Sequence, residues 1–197
     1  IADICGDIWL HVDGAYGLPA AATHSAGSLF AGLDRADSLS IDAHKWLFVP
    51  KACSALLVKK PELLARAFSH NEAYIPHEHG DTNAVDVTLE YSRPLRALKL
   101  WLAFKVHGAQ GMRDAVEANL AQAKLLYTLA HTAPDFDVLE SIPQLALVAD
   151  GRIYISPAQI DGNTWLRPCF TNFRTTNTDV QVAFDVIREV SNALASA

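Results

Sequence analysis

Lys45 stands in the run Ser40-Ile41-Asp42-Ala43-His44-Lys45-Trp46-Leu47, just past an apolar stretch, Ala36 to Ile41, that reads as a buried strand ending in a polar turn. In open α/β sheets such strand ends carry the sites. An ammonium is costly to bury unless it is paired or converted, and one conversion is a Schiff base with an aldehyde cofactor. The alternative is a surface lysine whose stem runs past Trp46. Upstream, Trp9-Leu10-His11-Val12-Asp13-Gly14-Ala15-Tyr16-Gly17 has the same form: an apolar strand, an acid, then small residues that let the backbone pass close to a flat ligand.

Lys45 lies 32 residues beyond Asp13, about one βαβ unit. Two parallel strands would therefore bring both side chains to one sheet edge. A lysine to hold an aldehyde carbon and a carboxylate to keep a ring nitrogen protonated are what pyridoxal phosphate needs. Without such a ring, Asp13 would be an unpaired charge at a strand end.

The elements around these residues follow from patterning. Trp9 to Asp13 reads as the first strand, Ser25 to Leu33 as a short helix capped by His24 or Ser25, and Ser54 to Val58 as a strand buried on both faces. Pro61 opens a helix over Glu62 to Phe68. Ser69 to Glu90 is long and polar, the kind of loop that serves as a lid or stays disordered. Its His77-Glu78-His79 lacks the helix or the spaced further ligand that a metal site requires, so no metal is expected. Leu95, Leu98, Leu102 and Val106 form a stripe at helical spacing, and after Gly108 to Gly111 a second long helix, Met112 to His131, carries Val116, Leu120, Ala123 and Tyr127 on one face. That glycine break divides the chain into domains 1–107 and 108–197. In the second, Phe136 to Leu139, Leu145 to Val148, Arg152 to Ile155 and Trp165 to Phe170 read as strands and Thr178 to Leu194 as a closing helix, an α+β arrangement beside the α/β first domain. Asp150-Gly151 reads as a tight hairpin turn.

With 197 residues, half of them hydrophobic, the chain has enough apolar side chains for a core. A net charge of −6 with no basic cluster argues against a nucleic-acid partner. No apolar run reaches membrane length and no signal-peptide pattern opens the chain. The three cysteines, Cys5, Cys53 and Cys169, show no C-x-x-C spacing and read as thiols of a reducing cytoplasm.

The pair H-V-D-G-A-Y-G and D-A-H-K-W-L resembles the pyridoxal-phosphate-dependent group II decarboxylases, the family that contains aromatic-L-amino-acid decarboxylase. The likeness continues through Val49-Pro50-Lys51-Ala52-Cys53-Ser54, Asn71-Glu72-Ala73-Tyr74 and Ser92-Arg93-Pro94-Leu95-Arg96-Ala97-Leu98-Lys99-Leu100-Trp101, and resumes at Ile155-Ser156-Pro157 and Leu166-Arg167-Pro168-Cys169-Phe170-Thr171-Asn172. The resemblance implies the C-terminal half of a fold-type-I transferase-like enzyme: part of the cofactor-binding large domain, then the small domain. The glycine- and serine-rich phosphate cradle would belong to an earlier half outside this sequence. It also implies Lys45 as the cofactor lysine, Asp13 at the ring nitrogen, Ala15 against the ring, and His44 at the cofactor or its phosphate. Tyr74, 29 residues after the lysine, matches the loop tyrosine that protonates the substrate α-carbon. Asp42 departs from the serine or asparagine common in relatives, and its charge would repel a phosphate unless it pairs elsewhere. The Asp150-Gly151 connection is shorter than the helical crossover usual in relatives. The implied activity is decarboxylation of an L-amino acid, favoured as aromatic, in a cytoplasmic homodimer with shared active sites. The rivals are an aldehyde synthase of the same family and an inactive fragment or dimerisation module.

Overall fold

The structure, a computed structural model, describes residues 1–69, 84–90, 92–136 and 152–196. It divides into two compact units, one of 1–21 with 26–108 and one of 22–25 with 109–197.

The first unit is built on a three-stranded sheet in the order β1 (His11–Asp13), β2 (Ser38–Ile41), β3 (Ala55–Val58). β1 and β2 run parallel with His11 opposite Ser38 and Asp13 opposite Ser40, while β3 returns antiparallel. Polar bonds fix this register: Trp9 Nε1 donates to Ser38 Oγ at 2.9 Å, and the Leu10 N–H donates to Asp37 Oδ2 at 2.8 Å. The one-turn helix α1 (Ala2–Cys5) precedes the sheet, and α2 (Ala43–Trp46) follows β2 directly. α3 (Glu62–Phe68) begins after Pro61, as the sequence predicts.

Two expectations change in this unit. Ser25 to Leu33 is not an α-helix but two 3₁₀ turns, Gly27–Phe30 and part of Leu33–Arg35. Gly32 stands between them in the left-handed region, at φ 88°, which ends any continuous helix. β3 is not buried on both faces: Leu56 and Leu57 are 53% and 54% exposed, and consecutive strand residues point to opposite sides. The stripe from Leu95 to Val106 also points outward, with Leu95 and Val106 exposed, whereas Leu100 and Ala103 pack against Ala43, Val49 and Cys53.

α4 (Arg96–Thr132) is interrupted at Gly108, whose φ of 69° and ψ of 168° are not helical. In the second unit its later turns present Met112, Val116, Asn119, Gln122 and Leu126 inward, while Ala123 and Tyr127, which share a face with Val116 by periodicity, are exposed. Two amides are buried because each finds a carbonyl: Asn119 Nδ2 donates to Asn172 O at 3.2 Å, and Gln122 Nε2 donates to Thr175 O. α5 (Asn177–Ala195) closes the unit behind a capping box of Thr176 and Asp179. Leu126, Val180 and Phe184 form one core cluster, and Ile155, Val186, Ile187 and Val190 another.

A hairpin that the sequence reading did not name closes this unit's described strands. β4 (Ser156–Ile160) and β5 (Asn163–Arg167) pair antiparallel around Asp161-Gly162. Both turn residues have positive φ, 51° and 80°, the signature of a type I′ turn. Arg152 to Ile155, expected as a strand, precedes the hairpin, and β5 begins at Asn163 and ends at Arg167, before the predicted limit at Phe170. Phe136 is not in a strand. The rest of the expected strand to Leu139, the strand Leu145 to Val148, the Asp150-Gly151 turn, the histidines of the long loop and Tyr74 lie outside the described residues.

Candidate functional site at the ends of β1 and β2

The parallel pairing puts Asp13 across from Ser40, and the two chain ends interlock just beyond. The Gly14 N–H donates to Ser40 O at 3.0 Å, and the Asp42 N–H donates to Ala15 O, also at 3.0 Å. Gly14 is required for this approach. A Cβ built there would lie 2.6 Å from Leu18 Cβ and 3.0 Å from Ser40 O.

Asp13 receives the Ala15 N–H at 3.0 Å and the Ser40 hydroxyl at 3.1 Å, both on Oδ1. Those bonds, the Ala15 one first, hold its carboxyl below the usual carboxylate range, with smaller help from the charges of Lys45 and His11. Asp13 is therefore an anion at neutral pH, and Oδ2 carries no hydrogen bond among the described residues. Ala15 gives this corner only a methyl group while its backbone ties both strand ends together.

α2 places His44 and Lys45. Fully buried Ala43 packs with Val49 and Cys53, which pins the turn, and Trp46 is buried beside Tyr16 with ring centroids 5.5 Å apart. Cys53 fixes the histidine through its backbone: its carbonyl accepts the His44 N–H at 3.1 Å and lies 2.8 Å from Nδ1. The His44 ring is thus oriented with Nε2 on the side of Asp42, 3.9 Å from Oδ2.

Lys45 Nζ meets Asp42 Oδ2 at 2.7 Å, and the other oxygen of Asp42 accepts the Ser54 hydroxyl. These two bonds, from Lys45 and then Ser54, lower the Asp42 pKa. The acid that the sequence left without a role is thus paired with the lysine itself. D-x-x-K across one helical turn is a readable signal for such a pair. Ser40, Cys53 and Ser54 are further parts of the site that sequence patterning did not single out.

Asp13, Ala15, His44 and Lys45 thus share one sheet edge. A carboxylate, a lysine and a fixed imidazole there could hold a flat, anionic ring compound carrying an aldehyde. Among the described residues, no group of three or more histidine, cysteine or acidic side chains could hold a metal ion, and no helix is long and apolar enough to cross a membrane.

Comparison with known proteins meets this geometry. Residues 1–149 match the pyridoxal-dependent decarboxylase conserved domain. The chain is 36% identical over 145 residues to an aromatic-L-amino-acid decarboxylase of Bacillus atrophaeus, covering 71% of this chain and 30% of the relative. To a 3,4-dihydroxyphenylacetaldehyde synthase of Aedes aegypti it is 27% identical, over 98% of this chain and 42% of that protein. The crystal structure of Oryza sativa TDC with PLP and tryptamine superposes with a TM-score of 0.87 at 21% identity, covering 98% of this chain and 46% of that one. This chain belongs to the pyridoxal-dependent decarboxylase family. It has the fold of that family's α/β enzymes, and it spans less than half the length of these relatives.

Proposed function

We propose that this chain is the lysine-bearing part of a pyridoxal-phosphate-dependent decarboxylase that removes the α-carboxylate of an L-amino acid, an aromatic one. The observation that carries the reading is the placement of Asp13 at the end of β1 and of Lys45 just beyond the end of its parallel neighbour β2, in a chain of this family. The residues fit the cofactor. Asp13 is anionic and has a free acceptor for a ring N–H, Ala15 leaves room for a flat ring, and Lys45 is held by one carboxylate that can release it.

When bound, the cofactor supplies an electron sink for the pair left behind as carbon dioxide departs. The chain's own part is positional and electrostatic. Asp13 would hold the ring nitrogen's proton and Lys45 would anchor the aldehyde carbon, while His44, its Nδ1 turned to Cys53, directs Nε2 to the side of Asp42 and Lys45. Tyr74 delivers the proton to the α-carbon, a role it takes from its place in the family pattern. Domains 1–107 and 108–197 correspond on this reading to part of the large domain and to the small domain, in a homodimer with shared sites. Three unpaired thiols support a reducing cytoplasm as its location. The aromatic preference rests on the names of the relatives.

One experiment tests the core of this reading. In protein carrying this chain, borohydride reduction in the presence of pyridoxal phosphate should trap the cofactor on the peptide holding Lys45, and Lys45→Ala should abolish both adduct and turnover. An adduct retained in Lys45→Ala would overturn the assignment. Amine product then marks a decarboxylase, and aldehyde with ammonia marks the synthase activity that the Aedes aegypti relative is named for.

A further inference from the structure

We propose that Asp42 is a positioning residue for Lys45, a carboxylate clamped by Ser54 that holds the lysine amine in place while no cofactor is attached. The inference rests on the reading of Lys45 as the cofactor lysine and extends it to a second acid with a task unlike that of Asp13.

The geometry separates this role from that of a helix cap. Asp42 occupies the N-cap position of α2 but makes no side-chain capping bond. Both of its oxygens are engaged elsewhere: Oδ2 takes Lys45 Nζ at 2.7 Å and Oδ1 takes the Ser54 hydroxyl. Ser54 immediately precedes β3, so the clamp joins the strand next to β2 to the turn that carries the lysine. The backbone repeats the restraint. The Asp42 N–H is bonded to Ala15 O and the Asp42 carbonyl accepts the Lys45 N–H at 2.9 Å. The Asp42 carboxylate is thus fixed at both ends, whereas the lysine it holds is 42% exposed and free to swing once a better partner arrives. Asp13 shares the corner, but the lysine pairs with Asp42, while Asp13 is held through Oδ1 by Ala15 and Ser40.

The test is the reactivity of Lys45 in cofactor-free protein, read by reductive methylation with formaldehyde and cyanoborohydride at neutral pH, with Lys51 and Lys59 as internal references in peptide mass spectra. Asp42→Asn keeps the shape and a good N-cap residue but removes the charge, and it should raise the rate at Lys45 roughly threefold, the scale of a partly exposed ion pair. Ser54→Ala should act in the same direction by freeing the carboxylate, and Ser54→Thr, which retains the hydroxyl, should restore the wild-type rate. A purely structural role for Asp42 predicts no such hydroxyl dependence. Lys45 rates unchanged in both Asp42→Asn and Ser54→Ala would overturn the proposal, and the Ser54 pair carries the test should Asp42→Asn fail to fold. The labelling uses no pyridoxal phosphate, so its outcome is distinct from the borohydride experiment on which the cofactor reading depends.

Discussion

The two units hold themselves together by different means. In the second, apolar side chains from α4 and α5 close on one another: Val116 and Val180 are each 1% exposed, Phe184 stacks on Phe136 at 4.8 Å, and the Arg188 guanidinium lies over the Phe184 ring. The first unit buries little in its sheet, and Leu56 and Leu57 stay open. Its order around Lys45 comes instead from backbone and side-chain hydrogen bonds linking Asp13, Ala15, Ser40, Asp42 and Ser54. Apolar packing makes one unit stable, and directional polar bonds make the other a site. Hydrogen bonds contribute little net stability each, but they fix geometry, and chemistry at a strand end needs geometry.

The contrast can be broken most directly by truncating one large side chain in each unit. Phe184→Ala should cost about 3–5 kcal/mol in chemical denaturation, because it opens a cavity in a closed core. Leu57→Ala, with over half its surface already in solvent, should cost no more than about 0.5 kcal/mol. Equal losses would show that the sheet face is as tightly packed as the helical core. Next in size is Gly14→Ala. The added methyl would meet Leu18 Cβ at 2.6 Å and the Ser40 carbonyl at 3.0 Å, an overpacking worth about 1–3 kcal/mol. It should also spread β1 from β2, so cofactor trapping on Lys45 should fall with it. Full trapping in Gly14→Ala would mean that the close approach of the strand ends is not what builds the site.

The site was more legible in the sequence than the packing around it. An apolar run ending in a polar turn, twice over at the spacing of one crossover, was enough to bring Asp13 and Lys45 to one edge, because strand ends are marked by abrupt changes of polarity. In the sequence Asp42 reads as a charge that would repel a phosphate unless it pairs elsewhere, and the structure supplies the partners, Lys45 and Ser54. Both long helices were legible but their faces only in part: Val116 is buried, while Ala123 and Tyr127 on the same stripe are exposed. Leu95, Leu98, Leu102 and Val106 satisfy helical spacing and still face solvent, while Asn119 and Gln122 go inside because the carbonyls of Asn172 and Thr175 await them. Periodicity registers hydrophobicity, and a buried amide satisfied by distant backbone is invisible to it. The hairpin shows the same limit on a smaller scale. Asp-Gly occurs three times, at 13–14, 150–151 and 161–162, and the dipeptide alone does not single out the last as a turn between paired strands.

The capping box sharpens the comparison at its smallest scale, since it is a polar device like those around Lys45 but set in the well-packed unit. Thr176 Oγ1 accepts the Asp179 N–H at 3.3 Å, and Asp179 Oδ2 accepts the Thr176 N–H at 2.8 Å. Thr176→Ala should cost about 1 kcal/mol at neutral pH, the usual size for a lost N-cap. Part of that loss depends on charge, because bonds from the Thr176 N–H and hydroxyl hold the Asp179 carboxyl below the usual carboxylate range. For a carboxylate depressed on folding, the stabilisation is complete above the unfolded value and disappears as pH falls through the folded one. The penalty of Thr176→Ala should therefore be constant across neutral pH and shrink below the usual carboxylate range, where wild-type Asp179 takes up its proton and the bond from the Asp179 N–H to Thr176 Oγ1 is the main difference left. Urea unfolding of both across an acid series measures this. A penalty that persists undiminished in acid would show that the hydroxyl acts through the Asp179 N–H alone and not through its bond to the carboxylate.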